Sequence, residues 1–357
     1  MTRPARADID LGAFAHNLAV AISLAGTAKI VAVIKADAYG HGIRAVGRHI
    51  AARADALGVA CMEEALALRE AGIGGRILAM EGPLSRDEIF SASQYGVTLN
   101  IAAEHQLRWL EEAKLEKPVS CWLKVDSGMH RLGFSLTGLA SIAQRMRRCA
   151  ACTGPDVICT HFASADDECD ANTMLQAERF FAATEDQSLP LSLANSAAVL
   201  RYPQYRRDWI RPGYMLTGNT PLNADHDGRL KPAMTLRSGV IALRDVPAGE
   251  GVGYGFTWRA PRRSRIATVA IGYGDGFPRS APDGTPVLVK NQRAKLAGRV
   301  SMDMITVDVT DVIGVAVGNP VVLWGKGLSV NEVARHAGTI GYELLTGVTS
   351  RVPRHYI

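Results

Sequence analysis

Along roughly the first 215 residues, apolar positions come in short β-branched runs, and the stretches between several of them repeat with helical period. Eight runs have the length and content of strands: AKIVAVI (28–34), DALGVA (55–60), GRILAM (75–80), GVTLNI (96–101), VSCWLKV (119–125), DVICTHF (156–162), LPLSLAN (189–195) and DWIRPG (208–213). EEALALREAG (63–72), HQLRWLEEAK (105–114) and ANTMLQAERFFAAT (171–184) read as amphipathic helices between them. This alternation is that of successive βα units, and eight such strands close most simply into a (β/α)8 barrel. Beyond about residue 225 the helical period nearly vanishes. Runs such as TLRSGVIAL (235–243), RIATVAIGYG (265–274), TPVLVKNQRAKLAG (285–298), MITVDV (304–309) and NPVVLWG (319–325) are punctuated by Gly, Pro and Asp, and one helical segment, SVNEVARHA (329–337), interrupts them. The pattern predicts a barrel over residues 9–225 and a mostly β domain over 226–357, with residues 1–8 pairing with the second domain. No solenoid repeat or low-complexity linker breaks the chain.

A length of 357 residues agrees with two domains, because one hydrophobic core rarely grows that large. Hydrophobic residues at 47% and charged ones at 21% describe an ordinary folded protein and exclude disorder or fibrous repeats. The net charge of +5 arises from 40 basic and 35 acidic residues that are interspersed, so neither nucleic acid nor a membrane surface is an expected partner. No segment approaches the ~20 apolar residues of a membrane-spanning helix. The N-terminal MTRPARADID is charged and has no apolar signal core behind it, which makes a cytoplasmic enzyme the expectation. The cysteines (Cys61, Cys121, Cys149, Cys152, Cys159, Cys169) are too sparse for a disulfide framework. Cys149 and Cys152 form a CxxC followed by Cys159 and His161, but a lone CxxC at the end of a basic helical stretch does not make a zinc site, and no metal is expected.

In a (β/α)8 barrel the C-terminal strand ends surround one mouth, and chemistry collects there. That rule gathers Lys35 after the first strand, Lys124 and Asp126 at the fifth, His161 at the sixth, Asn195 at the seventh and Arg211 at the eighth. A single Lys at a strand end usually snorkels, and a single His is usually structural. Polar residues at five converging ends instead mark a functional mouth. A desolvated lysine there can form a Schiff base, and pyridoxal phosphate is the corresponding cofactor. Phosphate donors are at hand in the hydroxyls of Tyr39 and Ser196 and the backbone around Gly213, with Ser196 opening the helical run SAAVL.

Eight ordered motifs carry a resemblance to the alanine racemases over essentially the whole chain: AVIKADAYGHG (32–42), LKVDSGMHRLGF (123–134), THFASAD (160–166), NSAA (195–198), RPG (211–213), GYGFTW (253–258), IGYGDGFPR (271–279) and GRVSMDM (298–304). The resemblance implies a fold-type III enzyme that interconverts L- and D-alanine. Lys35 would be the Schiff-base lysine and the base on the D face, and Tyr254, delivered by the partner in a head-to-tail homodimer, the base on the L face. Two bases are needed because a planar carbanion loses its proton on one face and regains one on the other. A phenol, with a reference pKa of ~10, can serve if nearby positive charge favours the phenolate, and His161 and Arg211 are the expected suppliers. Arg211 resembles the residue facing the pyridine nitrogen. Arg131 resembles the one at the cofactor's phenolic oxygen and the substrate carboxylate, and Lys124 the lysine carbamylated in many relatives. Tyr39, His161, Asn195, Ser196, Gly213 and Tyr214 complete the implied cofactor shell. Met302 and Asp303 match the partner's substrate loop, and Asp166, Tyr273, Arg279 and Arg299 match an access corridor whose narrowness favours a small side chain.

The chain departs from the family pattern at Tyr214 and Thr217, and at Ser350, where some relatives place a phosphate-contacting tyrosine. Three other readings compete. A serine or broad-range racemase uses the same scaffold, but broad-range relatives often carry an export signal. A non-catalytic cofactor-binding barrel lacks a β domain. A barrel-type decarboxylase presents an acidic residue where Arg211 stands and carries a cysteine in the β domain, where this chain has none after Cys169. Whether D-alanine would be made for peptidoglycan or consumed is not encoded, since the same residues serve both directions.

Overall fold

The computed structural model describes residues 3–222 and 227–357, so the expected division between residues 225 and 226 lies outside the described residues. After β1 (Arg6–Ile9), the parallel strands β2 (Lys29–Val33), β3 (Ala56–Val59), β4 (Arg76–Ala79), β5 (Val97–Ile101) and β6 (Val119–Asp126) follow in turn. The two-residue β7 (Phe134–Ser135) intervenes before β8 (Cys152–Cys159), β9 (Leu191–Asn195) and β10 (Trp209–Arg211). Spatial order follows the chain, with β6 beside β8, and β10 closes the ring onto β2 through Trp209↔Lys29 and Ile210↔Ile30. The (β/α)8 barrel is therefore present. Its two-residue period is visible in β2: Val31 and Val33 point inward with Ala56, Leu78, Val157 and the edge-on pair Trp122–Trp209, whereas Ile30 and Ala32 pack outward beneath the helices. The interior is thus a packed plug, and deleting one of its large rings costs about 3–5 kcal/mol.

The second unit is mostly β. Its strands are β11 (Met234–Val246), β12 (Gly251–Val252), β13 (Trp258–Arg259), β14 (Ser264–Val269), β15 (Pro286–Val289), β16 (Gln292–Leu296), β17 (Ile305–Asp308), β18 (Pro320–Trp324) and β19 (Arg354–Tyr356). The long β11 pairs with both β14 and β18, which closes the order β11-β14-β17-β16-β15-β18 into an antiparallel ring. β1 joins this sheet against β11 (Arg6↔Arg237 to Ile9↔Met234), and β19 runs parallel beside β1. The apolar run at 285–298 proves to be a hairpin. Lys290 and Asn291 turn it with φ of 52° and 63°, the positive pair that matches strand twist in a two-residue loop.

Other differences from the sequence expectation are local. The sixth barrel strand starts at Cys152 and stops at Cys159, so His161 stands in the loop beyond the strand rather than at its end. The helix expected at 329–337 spans Val330–His336 behind an Ser329 cap, and a second helix, Gly341–Thr346, follows it unexpectedly. Among the described residues no helix is long and apolar enough to cross a membrane.

Candidate active site

Lys35 begins a turn of left-handed helix. Ala36, Asp37, Ala38 and Tyr39 all have φ of 52–54° and ψ of 44–55°, a conformation that crowds Cβ against the next carbonyl in L-residues. Local bonds hold it. Ala38 N–H donates to the Ile34 carbonyl and Gly42 N–H to that of Asp37, both at 2.9 Å, while the Asp37 carboxylate accepts from Ile43 N–H at 2.8 Å. The fully buried His41 donates from Nδ1 to the carbonyls of Ala38 and Tyr39, at 2.9 and 2.8 Å. Burial lowers its pKa to about 4, so the ring is neutral and the Nδ1 proton is retained for those carbonyls.

The turn presents Lys35 to a cavity of about 180 Å³ at the barrel mouth, which Glu81, Lys124, Arg131, His161 and Arg211 also line. Arg211 is buried with no carboxylate partner among the described residues. Its guanidinium donates to Ser192 Oγ and to the carbonyls of Thr160 and Leu193, and it meets His161 Nδ1 at 3.5 Å. A nitrogen facing a guanidinium can only accept, which puts the His161 proton on Nε2. Desolvation, followed by Arg211, Lys124, Arg131 and Lys35, drives the His161 pKa far down. The expectation that His161 supplies positive charge is therefore corrected: it is a neutral imidazole. Desolvation also lowers the pKa of Lys124, with Arg211 and Arg131 adding to the effect.

A second group of residues lies beside the turn. Ser196 Oγ accepts from the N–H groups of Gly213 and Met215, at 2.9 and 3.3 Å. Tyr39 lies so close to Gly213 that a Cβ there would stand 2.2 Å from its hydroxyl. The Tyr39 ring sits 6.4 Å from Tyr214 and 6.1 Å from Tyr342, which themselves stack at 3.7 Å. Burial raises the pKa of all three phenols and keeps them as donors. The Tyr214 hydroxyl is committed to Asn331 Oδ1 at 2.6 Å, and the Asn195 side chain caps the following helix by accepting from Ala198 N–H. Thr217 turns inward and donates to the Tyr214 carbonyl at 2.7 Å. A cleft of about 580 Å³ leads outward from Tyr214 and Tyr342, and Asp166 is on its rim.

The remaining site residues of the sequence reading stand apart from this cavity, on the β domain. Tyr254 occupies the loop between β12 and β13 and is 69% exposed, with Phe256, Met302 and Tyr273 also open to solvent. Arg299 packs under that loop, and the Tyr273 loop is fastened to the Met302 loop by Tyr273 N–H to Ser301 O and Gly274 N–H to Met302 O. Arg279 is exposed beyond them. Asp303 pairs with Arg351 at 2.6 Å. Tyr254 is thus not among the residues lining the cavity that holds His161 and Arg211.

Two family models cover nearly all of this architecture: the alanine racemase N-terminal domain over residues 9–221 and the alanine racemase C-terminal domain over residues 233–356. The chain belongs to the alanine racemase family. An alanine racemase of Stutzerimonas stutzeri is 48% identical, with 99% of each chain covered. Identity reaches 49% to the biosynthetic alanine racemase of Pseudomonas aeruginosa and 47% to the catabolic alanine racemase of Pseudomonas putida, so overall identity does not separate the two metabolic directions. The crystal structure of the Pseudomonas aeruginosa biosynthetic enzyme superposes with a TM-score of 0.97 at 48% identity, each chain covered completely. The alanine racemase structure from Acinetobacter baumannii gives 0.93 at 37%, again with complete coverage.

Within this alanine racemase fold, sequence reasoning missed Tyr342, which joins Tyr39 and Tyr214 from a helix too short to show a period. Ser350, to which the missing tyrosine was referred, instead lines a separate surface hollow near Asp37 and Arg354. Also missed was Asp275, fully buried inside the GYGDGF motif, where it accepts from Gly272 N–H and pairs with Arg3 and Arg351.

Proposed function

We propose that the chain interconverts L- and D-alanine with pyridoxal 5′-phosphate, using Lys35 as one base and Tyr254 of the partner subunit as the other. The observation that carries this reading is the convergence of Lys35, Arg131, His161 and Arg211 on one barrel mouth, beside the hydroxyls of Tyr39 and Ser196, in a member of the alanine racemase family.

The donor set fits the cofactor. Buried phenols held in the protonated form, a serine hydroxyl and a backbone cradle that any Cβ would fill suit a phosphate, and the flanking cations balance its charge. The cofactor, when bound, supplies a carbonyl for an amine and an electron sink that acidifies the substrate Cα–H. Arg211, which keeps its own proton, would hold the cofactor's ring nitrogen without protonating it, and that would keep the sink moderate. That favours returning the proton to Cα over moving it elsewhere. Arg131 orients the substrate carboxylate. Lys124, its ammonium disfavoured by burial, is the candidate for carbamylation, which would turn one of several clustered cations into an anion beside Arg131. Lys35 Nζ exchanges the proton on one face and Tyr254 Oη of the partner subunit on the other. Met302 and Asp303 of the partner subunit complete the substrate pocket, and Asp166, Tyr273, Arg279 and Arg299 line the approach. A head-to-tail homodimer, with the division at residues 225/226 separating the cofactor barrel from the lending β domain, goes with the same reading.

Racemisation in deuterated water tests it. Two bases on opposite faces place solvent deuterium in the product enantiomer at nearly every turnover, while one base that hands the same proton across leaves the product with substrate hydrogen. Rates with alanine, serine, lysine and arginine fix the substrate: kcat/KM is expected to be highest for alanine, and a serine preference would replace that assignment.

A further inference from the structure

The turn that carries Lys35 is closed by the last residues of the chain. Arg354, on β19, donates from Nε to the Gly40 carbonyl at 3.2 Å. Its Nη atoms donate to the carbonyls of Val348 and Thr349, each at 2.7 Å, and of Val352 at 3.0 Å. One guanidinium thus ties the end of a barrel turn to a loop of the β domain. Two glycines allow this approach. At Gly40 (φ +78°) a Cβ would come within 2.2 Å of the Leu345 carbonyl oxygen, and at Gly42 (φ +97°) within 2.0 Å of the Tyr356 hydroxyl.

The turn is short and internally bonded, so its two ends are not independent. The Ala38 N–H bond to Ile34 O spans Lys35, and the Gly42 N–H bond to Asp37 O spans Gly40. Four successive residues in the left-handed region hold that geometry only while the surroundings dictate it. A planar fork with fixed donors dictates position better than a flexible ammonium does.

We propose that Arg354 is a positioning residue for Lys35: by fixing the Gly40 carbonyl it locks the left-handed turn, so the C-terminal strand of the β domain sets where the lysine amine stands. The inference rests on Lys35 being the cofactor lysine.

Hydrogen exchange in the full-length holoenzyme, read on the peptide covering residues 36–43, tests it alongside steady-state kinetics. In Arg354→Met the amides of Ala38, Gly42 and Ile43 are expected to exchange at least about tenfold faster, reflecting local opening. The misplaced amine lowers kcat by about tenfold to a hundredfold, with KM for alanine changed by less than about twofold. Arg354→Lys recovers part of both. Where Arg354→Met does not fold, Arg354→Lys reads the same amides with the charge kept. Faster exchange confined to residues 348–356, with residues 36–43 as protected as before, overturns the proposal and leaves Arg354 a brace of its own loop. Lys35→Ala separates the two readings: retention of the cofactor's visible absorbance in that variant removes the premise, whatever the exchange pattern shows.

Discussion

A methyl group decides whether Tyr39 can use its position. Gly213 has no side chain, and the Tyr39 hydroxyl occupies the space where a Cβ would be, 2.2 Å away, next to the amide that already donates to Ser196 Oγ. Gly213→Ala must push the ring aside, at the ~1–3 kcal/mol typical of overpacking. Because that ring belongs to the proposed phosphate shell, the displacement should appear as a cofactor Kd raised roughly tenfold to a hundredfold in equilibrium titration. An unchanged Kd would remove Tyr39 from the shell. Arg211 poses the opposite problem, a buried charge with no carboxylate partner among the described residues. Its solution is geometric: Ser192 Oγ and the carbonyls of Thr160 and Leu193 receive several of its donors at once, which a lysine could not match. That arrangement leaves the cation in place at the barrel mouth. Sequence placed Arg211 at the mouth but could not supply these partners, because they lie on β9 and just beyond β8.

The turn at Lys35–Gly40 shows where reading the chain succeeds and where it stops. Barrel strands announce themselves through β-branched runs with a two-residue period, and their ends came within a few residues of the observed ones for most strands. The left-handed turn gives no such signal. Positive φ is normally flagged by glycine, yet Ala36, Asp37, Ala38 and Tyr39 adopt it without one, against a preference of about 1–2 kcal/mol per residue. What compensates is partly local, the bonds from the buried His41, and partly tertiary, the Phe14 ring set edge-on to it and the Arg354 bond from β19. The Gly341–Thr346 helix escaped for the related reason that six residues are too few to display a period. His41 makes this element sensitive to pH. Its pKa is about 4 in the folded protein against 6.5 when exposed, so between those values the unfolded chain binds more protons and stability rises with pH. His161, also depressed, acts with the same sign. Unfolding free energy should therefore fall on acidification below pH ~6.5, with His41 contributing on the order of 3 kcal/mol by pH ~4. His41→Gln retains a donor for the two carbonyls but does not titrate. Chemical denaturation between pH ~5 and ~6.5, above most carboxylate titration, should give a shallower slope for that variant, and equal slopes would contradict the assignment.

On the scale of the whole molecule, the two groups of residues proposed to form the site lie on different units of one chain. The barrel mouth has the amine and the cations, whereas Tyr254, Phe256, Tyr273 and Met302 stand exposed on the β domain, an aromatic and thioether surface unusual for a face left in water. The Asp275 network explains why that surface is shaped before anything covers it. Arg3 and Arg351 converge on the buried carboxylate, Arg351 also grips Asp303, and the Tyr273 and Met302 loops are thereby held as one unit. If two chains pair head to tail, each lends this unit to the other's barrel, and the exchange can be tested with two dead enzymes. Lys35→Ala and Tyr254→Phe homodimers each lack one base in both sites. When they are dissociated, mixed in equal amounts and reassociated, a mixed dimer contains one site with both lesions and one with neither. Random pairing makes half the dimers mixed, so activity should recover to about a quarter of the wild-type value. If Tyr254 served its own chain instead, every site in the mixture would carry one lesion and no activity would return.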